Sequence, residues 1–174
     1  MKITQIREKE GVETLSVLAL DSLVEKIKTE IKTRPVSGLR QALHFVVPGD
    51  RCTLADRLPK IIPAAVFGRV AGVKRMKSYN GVVELSVGPL AGKAEVELVK
   101  KRAAELPQTK LAFAGSSEKT VKIWVCFTRP DGTLPQIREE AELFQAHAYR
   151  LAVKCYQPQI PFEIQLKEPH LEQY

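Results

Sequence analysis

Hydrophobic and polar residues alternate most regularly in the second half of the chain, and their spacing predicts a series of strands and helices. Period-two alternation predicts four strands, which are "VVELSVG" from Val82, "KLAFA" from Lys110, "VKIWVCF" from Val121 and "PFEIQL" from Pro161. Helical spacing predicts helices over 93–106 and 138–156. The predicted order is β-α-β-β-α-β, a ferredoxin-like (RRM-like) unit in which both helices cover one face of the sheet.

The first half of the chain shows weaker patterns. "TLSVLAL" from Thr14 predicts a strand, and "SLVEKIKTEI" predicts a helix that begins at a capping box of Ser22 and Glu25. A second short helix is predicted over 36–45, and "VPGD" at 47–50 breaks the pattern. The apolar, proline-marked connection "RLPKIIPAAVFGRV" is expected to be partly buried.

These elements predict the α+β class and one domain over 1–174. We expect an N-terminal β-α extension over about 1–60 and the β-α-β-β-α-β core over about 80–168. Of the 174 residues, 44% are hydrophobic, which suffices for one core of ordinary size. No internal repeat and no linker marks a second domain.

Composition and cysteine spacing narrow the class of protein. No apolar run approaches the roughly 20 residues of a membrane span, so no membrane partner is expected. The first residues lack the apolar centre of a signal peptide. Cys52, Cys126 and Cys155 are far apart, which indicates reduced thiols in a cytoplasmic protein rather than a disulfide framework or a zinc site. The net charge of +7 is compatible with nucleic acid or another anionic ligand.

Strand alternation places a set of polar side chains on the sheet face opposite the helices. Val83, Leu85 and Val87 are expected to face the helices, so Glu84 and Ser86 face away. The same face receives Lys122, Trp124 and Cys126 from the third strand, and Glu163, Gln165 and Lys167 from the last. Two interpretations compete. The first is a solvated or terminus-covered sheet face, on which Glu84 and Lys122 form an ordinary cross-strand pair. The second is a ligand face, on which carboxylates hold a divalent ion while a lysine or tryptophan meets a nucleotide or single-stranded nucleic acid.

Five stretches carry a resemblance to a known family. They are "RLPKIIPAAVFGRV", "YNGVVELSVGPL", "LAFAGSSEKTVKIWV", "AHAYRLAVKCY" and "IPFEIQLKEP", and they occur in this order. Together they resemble the N-terminal domain of VirE-like (virulence-associated protein E) proteins, which are divergent relatives of archaeo-eukaryotic primases. The resemblance covers roughly residues 55–170, and 14–45 fit the preceding part more loosely.

The resemblance implies a nucleotide site and the residues that would occupy it. The family's first motif carries Asp-x-Asp, and Glu84 and Ser86 stand in its place. Its phosphate loop corresponds to "GSSEKT", with Ser117 and Lys119, and its basic strand position to Lys122. The acidic residue of the final strand falls on Glu163.

Departures from the family pattern imply a degenerate site. Ser86 replaces a metal-binding acid, and Glu118 and Thr120 replace glycines that would let the loop approach a phosphate. Two-metal phosphoryl transfer needs a dense anionic cage, which Glu84 and Glu163 alone do not make. The resemblance therefore implies one weakly bound Mg²⁺ or Mn²⁺, or none, and no robust polymerase activity.

Three functional hypotheses stay open. The favoured one is a degenerate primase-like domain that binds single-stranded DNA or a nucleotide without polymerising. Its binding residues would be Ser117, Lys119, Lys122, Trp124 and the basic segment with Arg69, Lys74 and Arg75, which is otherwise a plain solubilising loop. The alternative is a structural or protein-interaction domain with a filled ancestral site, acting with a helicase-like region or a partner protein. The third is an active metal-dependent primase or nucleotidyl transferase that uses Glu84 and Glu163.

Overall fold

Antiparallel sheets and α-helices build this chain, and the predicted α+β class is confirmed. The computed structural model describes residues 1–9, 11–29, 35–43, 45 and 58–173. The predicted break at 47–50 and Cys52 lie outside the described residues. No helix in the described ranges is both long enough and apolar enough to cross a membrane.

The N-terminal residues form a three-stranded sheet with the order β2-β1-β3. Its strands are β1 (Lys2–Lys9), β2 (Val12–Ala19) and β3 (Lys60–Ile62). Helix α1 (Leu20–Lys28) follows β2 directly, and α2 (Pro35–Leu43) is the second short helix that the sequence predicted. The predicted capping box is wrong. Helix α1 begins at Leu20, two residues before Ser22, and its N-cap Ala19 makes no side-chain cap.

The proline-marked connection leads into strand β3 and a two-stranded sheet rather than a loop. Strands β4 (Ala65–Val70) and β5 (Val73–Tyr79) form a hairpin that contains the basic segment. Ala71 and Gly72 both have positive φ, 49° and 79°, as a type I′ hairpin turn requires. The expected burial of this connection is confirmed, because Ile62, Ala65 and Phe67 are all buried in one apolar cluster.

The C-terminal sheet has the order β6-β8-β7. Its strands are β6 (Val82–Val87), β7 (Thr109–Ala114) and β8 (Val121–Cys126), with helices α3 (Lys93–Ala104) and α4 (Arg138–Tyr156). The predicted packing is confirmed for β6 and β8, whose residues Val83, Leu85, Val87, Val121, Ile123 and Val125 share a core with both helices.

The predicted last strand is wrong, because "PFEIQL" makes only a single bridge, between Ile164 and Val87. Two hydrogen bonds tie it to β6: Gly88 N to Glu163 O (3.1 Å) and Gln165 N to Ser86 O (2.8 Å). The hydroxyl of Tyr149 in α4 then donates to Gln165 O and accepts from Lys167 N, which ends the pairing. Leu166, which was expected to face inward, is consequently 75% exposed.

Candidate functional site

Glu84 is the centre of the candidate site, and each of its carboxylate oxygens accepts a hydrogen bond from a neighbour on β8. In the β6–β8 register Glu84 lies opposite Trp124, and Ser86 lies opposite Lys122. Lys122 Nζ donates to Glu84 Oε1 at 2.5 Å, and Trp124 Nε1 donates to Oε2 at 3.0 Å. Glu84 is only 5% exposed. Each carboxylate oxygen therefore already has a donor, and one of these donors is a cation.

The sheet face around Glu84 is covered by the N-terminal elements. Trp124 packs in an apolar cluster with Ile3 of β1, Leu20 and Leu23 of α1, and Val82. Its ring is 1% exposed and meets Phe113 edge to face, with 5.6 Å between the ring centroids. The predicted common face of Glu84, Ser86, Lys122 and Trp124 is present, but it lies inside the protein. Trp124 offers no open ring face on which a base could stack.

The rim of this face is positively charged. Lys122 keeps 21% of its side chain exposed. Burial and the charge of Lys122 lower the pKa of Lys167, although Glu84 acts in the opposite direction. Lys167 thus feels the charges of both Lys122 and Glu84, and these three side chains together carry one excess positive charge.

Ser86 stands where the resemblance would have a second acid. It is buried, and its Oγ has no hydrogen-bond partner among the described residues. Glu163 is exposed, and its backbone rather than its carboxylate ties it to β6. Within the described ranges, no group of three or more His, Cys, Asp or Glu side chains is arranged to hold a metal ion.

The predicted phosphate loop is fixed from outside by a residue that the sequence analysis missed. Arg40 of α2 forms a salt bridge with Glu118 (2.9 Å) and donates to the carbonyl oxygens of Ser116 and Gly115. Ser117 is half-buried, and its Oγ accepts from Lys119 N at 3.3 Å, whereas Lys119 is exposed. Glu118 therefore holds the loop against α2. No local sequence signal links Arg40 to this loop, because 75 positions separate it from Gly115.

The basic hairpin uses most of its candidate cations internally. Arg69 pairs with Glu13 (3.4 Å). Lys74 pairs with Glu172 (2.8 Å), and its Nζ lies 5.3 Å from the centre of the Phe67 ring. Arg75 is exposed and has no salt bridge within the described ranges. Of the three hairpin residues that were predicted to bind nucleic acid, only Arg75 is thus exposed without an ionic partner in the described structure.

Glu172 joins the basic hairpin to α4 through Lys74 and Arg138. Burial alone would raise the pKa of the Glu172 carboxyl. Hydrogen bonds and positive charge from Lys74 and Arg138 outweigh burial and lower it below its ordinary value. The basic segment is therefore fixed to the body of the domain.

Fold and site together define an α+β domain with a buried carboxylate–lysine pair at its centre. The family model described as "BT4734-like, N-terminal domain" matches residues 53–174, well over half of the chain. The chain belongs to this family. The matched range contains β3–β8, α3 and α4, and the N-terminal elements that cover Trp124 precede it. Neither a search of curated proteins nor a search of solved structures gave a match.

Proposed function

We propose that this chain is a non-catalytic interaction domain in which the chain's own side chains fill the place of an ancestral ligand site. The observation that carries the proposal is the carboxylate of Glu84, which is buried and accepts hydrogen bonds from both Lys122 and Trp124. A metal ion at Glu84 would have to displace a lysine ammonium and an indole N–H, and to strip its own water, inside an apolar cluster. Each of these steps costs free energy.

A second part of the proposal concerns the fold, which we propose has the ferredoxin-like arrangement that the resemblance to primase-like proteins implies. It is supported by the order β6-β8-β7 and by the two hydrogen bonds that set residues 163–165 beside β6 on its other side. In this arrangement the first and third strands of the unit are central. Glu84 and Lys122 belong to β6 and β8, so the pair would occupy the middle of the sheet if residues 163–165 are counted as a fourth strand.

Primer synthesis tests the proposal against the active-enzyme hypothesis. We expect no nucleotide incorporation by the natural chain on single-stranded templates with Mg²⁺ or Mn²⁺, and the same background from Glu84→Gln. The variant is a matched control, because it keeps the size of the side chain while it removes the charge and replaces one acceptor oxygen by an NH₂ group. Metal-dependent incorporation that Glu84→Gln abolishes would overturn the proposal.

Nucleic-acid binding through the hairpin is a second candidate function. It is favoured by the net charge of +7 and by the exposure of Arg75 and Lys77 on β5. Its surface would be the hairpin, with Lys119 of the loop at 115–120 as a further exposed cation, rather than the covered ring of Trp124.

A low-salt anisotropy titration with an oligothymidine of about 16 nucleotides tests this second candidate. Binding should weaken steeply with salt, because phosphate contacts release counterions. The double variant Arg75→Ala, Lys77→Ala should bind the oligothymidine more weakly than the natural chain does at the same salt concentration. Lys93→Ala, which removes an exposed cation at the start of α3, is the control. Absence of binding at low salt would remove this candidate.

A further inference from the structure

Strand β7 forms an edge of the C-terminal sheet in the described part of the chain. On one face Ala112 and Ala114 pack against the helix-covered core. On the other face Leu111 and Phe113 pack against the cluster around Trp124. Both faces of β7 are therefore occupied, and its open side is the row of backbone groups that point away from β8.

The backbone groups at this edge can be assigned from the ladder. Gly115 N donates to Thr120 O at 2.8 Å, and Ala114 lies opposite Val121. Hydrogen-bonded and non-hydrogen-bonded pairs alternate in an antiparallel ladder. Phe113 is thus the next residue that bonds to β8, and the N–H and C=O groups of Ala112 and Ala114 point outward.

One end of β7 is protected against unspecific pairing and the other is not. The register shifts between Thr109 and Leu111, which leaves Lys110 as an exposed bulge residue. A bulge and a lysine are common devices that keep sheet edges from pairing freely. Neither device occurs over Leu111–Ala114, which spans about 13 Å at the usual rise per residue.

A positively charged groove runs beside this edge. It lies between α3 and β7 and has a volume of about 480 Å³, and its charged lining residues are Glu97, Lys100, Lys101 and Lys110. Lys100 pairs with Glu97 at 3.0 Å. Lys101 and Lys110 are exposed and form no salt bridge with any described residue. The groove therefore carries two uncompensated cations next to an open strand edge.

The charge of the groove selects between two possible occupants. A second copy of this chain, paired edge to edge about a two-fold axis, would bring the same basic groove towards itself. Like charges in such an interface are unfavourable. An extended acidic segment would satisfy the outward N–H and C=O groups and place its carboxylates beside Lys101 and Lys110.

We propose that the edge of β7 accepts an extended, acidic segment of a partner protein as an added strand, with Lys101 and Lys110 recognising its carboxylates. This proposal deepens the proposed function as an interaction domain and rests on it. Backbone hydrogen bonds supply the affinity, as in other cases of strand addition. The two lysines supply the preference for an acidic segment.

A model peptide tests the proposal on the full chain. The probe is a fluorescein-labelled peptide of about six residues, a common strand length, that alternates glutamate and valine and has blocked termini. We expect saturable anisotropy, and at least about tenfold weaker binding of the same peptide with lysine in place of glutamate. Ala112→Pro should weaken binding about tenfold or more, because it removes an outward N–H but no bond to β8. Lys93→Ala, which removes an exposed cation at the start of α3 outside the groove, should bind like the natural chain.

A charge reversal keeps the test decisive if Ala112→Pro fails to fold. Lys101→Glu combined with Lys110→Glu changes two exposed side chains, and should weaken the glutamate peptide and strengthen the lysine peptide. Equal binding of both peptides, or no binding up to about 1 mM, would overturn the proposal. Binding of oligothymidine that the charge reversal abolishes and Ala112→Pro spares would also overturn it, since the groove would then hold nucleic acid.

These outcomes are separable from failure of the proposed function. Absence of peptide binding overturns the role of the β7 edge and leaves an interaction role to other surfaces. Metal-dependent primer synthesis would overturn the interaction role itself.

Discussion

Removing the lysine that neutralises Glu84 is a sharp perturbation of this fold. Lys122→Met keeps most of the side-chain stem and removes the ammonium that bonds Glu84 Oε1 at 2.5 Å. Breaking a buried ion pair from one side typically costs about 3–5 kcal/mol. Lys122 is 21% exposed and Lys167 lies close to it, so water and the second lysine relieve part of this cost. We expect a loss of about 3 kcal/mol, which corresponds to roughly 6–12 °C in the midpoint of thermal unfolding.

Urea unfolding followed by tryptophan fluorescence measures this loss, because Trp124 is the only tryptophan in the sequence. A double-mutant cycle with Glu84→Gln should give a coupling free energy of at least about 1.5 kcal/mol. Lys93→Met, at an exposed lysine, is the control and should change the free energy of unfolding by less than about 0.5 kcal/mol. A cost below about 1 kcal/mol for Lys122→Met, or a coupling near zero, would refute the buried pair.

Three further predictions concern acid stability, thiol reactivity and a turn. The lowered pKa of Glu172 stabilises the fold above the ordinary carboxyl range, and this contribution is lost as the pH falls through the folded-state pKa. Glu172→Gln should therefore cost less than about 1 kcal/mol at pH 7, since the side chain is 34% exposed. The difference in urea unfolding between this variant and the natural chain should vanish in acid. A difference that persists in acid would contradict the prediction. Partial burial raises the pKa of the Cys126 thiol. In a Cys52→Ser background a disulfide reagent should therefore modify the exposed Cys155 much faster than Cys126, and equal rates would contradict the partial burial of Cys126. Gly81→Ala should destabilise the fold by more than about 2 kcal/mol, because φ at Gly81 is +65° and the added Cβ would lie too close to Phe127 O. Thermal unfolding measures this loss, and an unchanged stability would contradict the described turn.

The part of the fold that sequence alone could predict is the part where one sheet face is buried against helices. Apolar residues at every second place in β6 and β8 placed Val83 and Leu85 in the core, and this placed Glu84 and Lys122 on the same opposite face. The β-α-β-β-α order follows from the same periodicity. The last strand could not be predicted, because Tyr149, a residue of α4, takes the backbone groups that would have continued the pairing.

The covering of the sheet face could not be read from local patterns. Strand β1 is buried on both faces, so Thr4 and Gln5 are buried together with Ile3 and Ile6, and no alternation marks the strand. Thr4 satisfies its hydroxyl with Ala65 O and Phe67 N, more than 60 positions away. The same limitation applies to Arg40 and its loop, since their contact depends on tertiary packing.

Whether Glu84 can hold a metal ion decides between a filled site and a working one. Mn²⁺ bound at Glu84 would lie within a few ångströms of the Trp124 indole, whose Nε1 is 3.0 Å from Glu84 Oε2, and would quench its fluorescence. The most direct measurement is a titration of Trp124 emission with Mn²⁺ in the presence of a nucleoside triphosphate, compared with Glu84→Gln. We expect no saturable quenching and the same response from both proteins. Saturable quenching of the natural chain that Glu84→Gln abolishes would contradict the filled site.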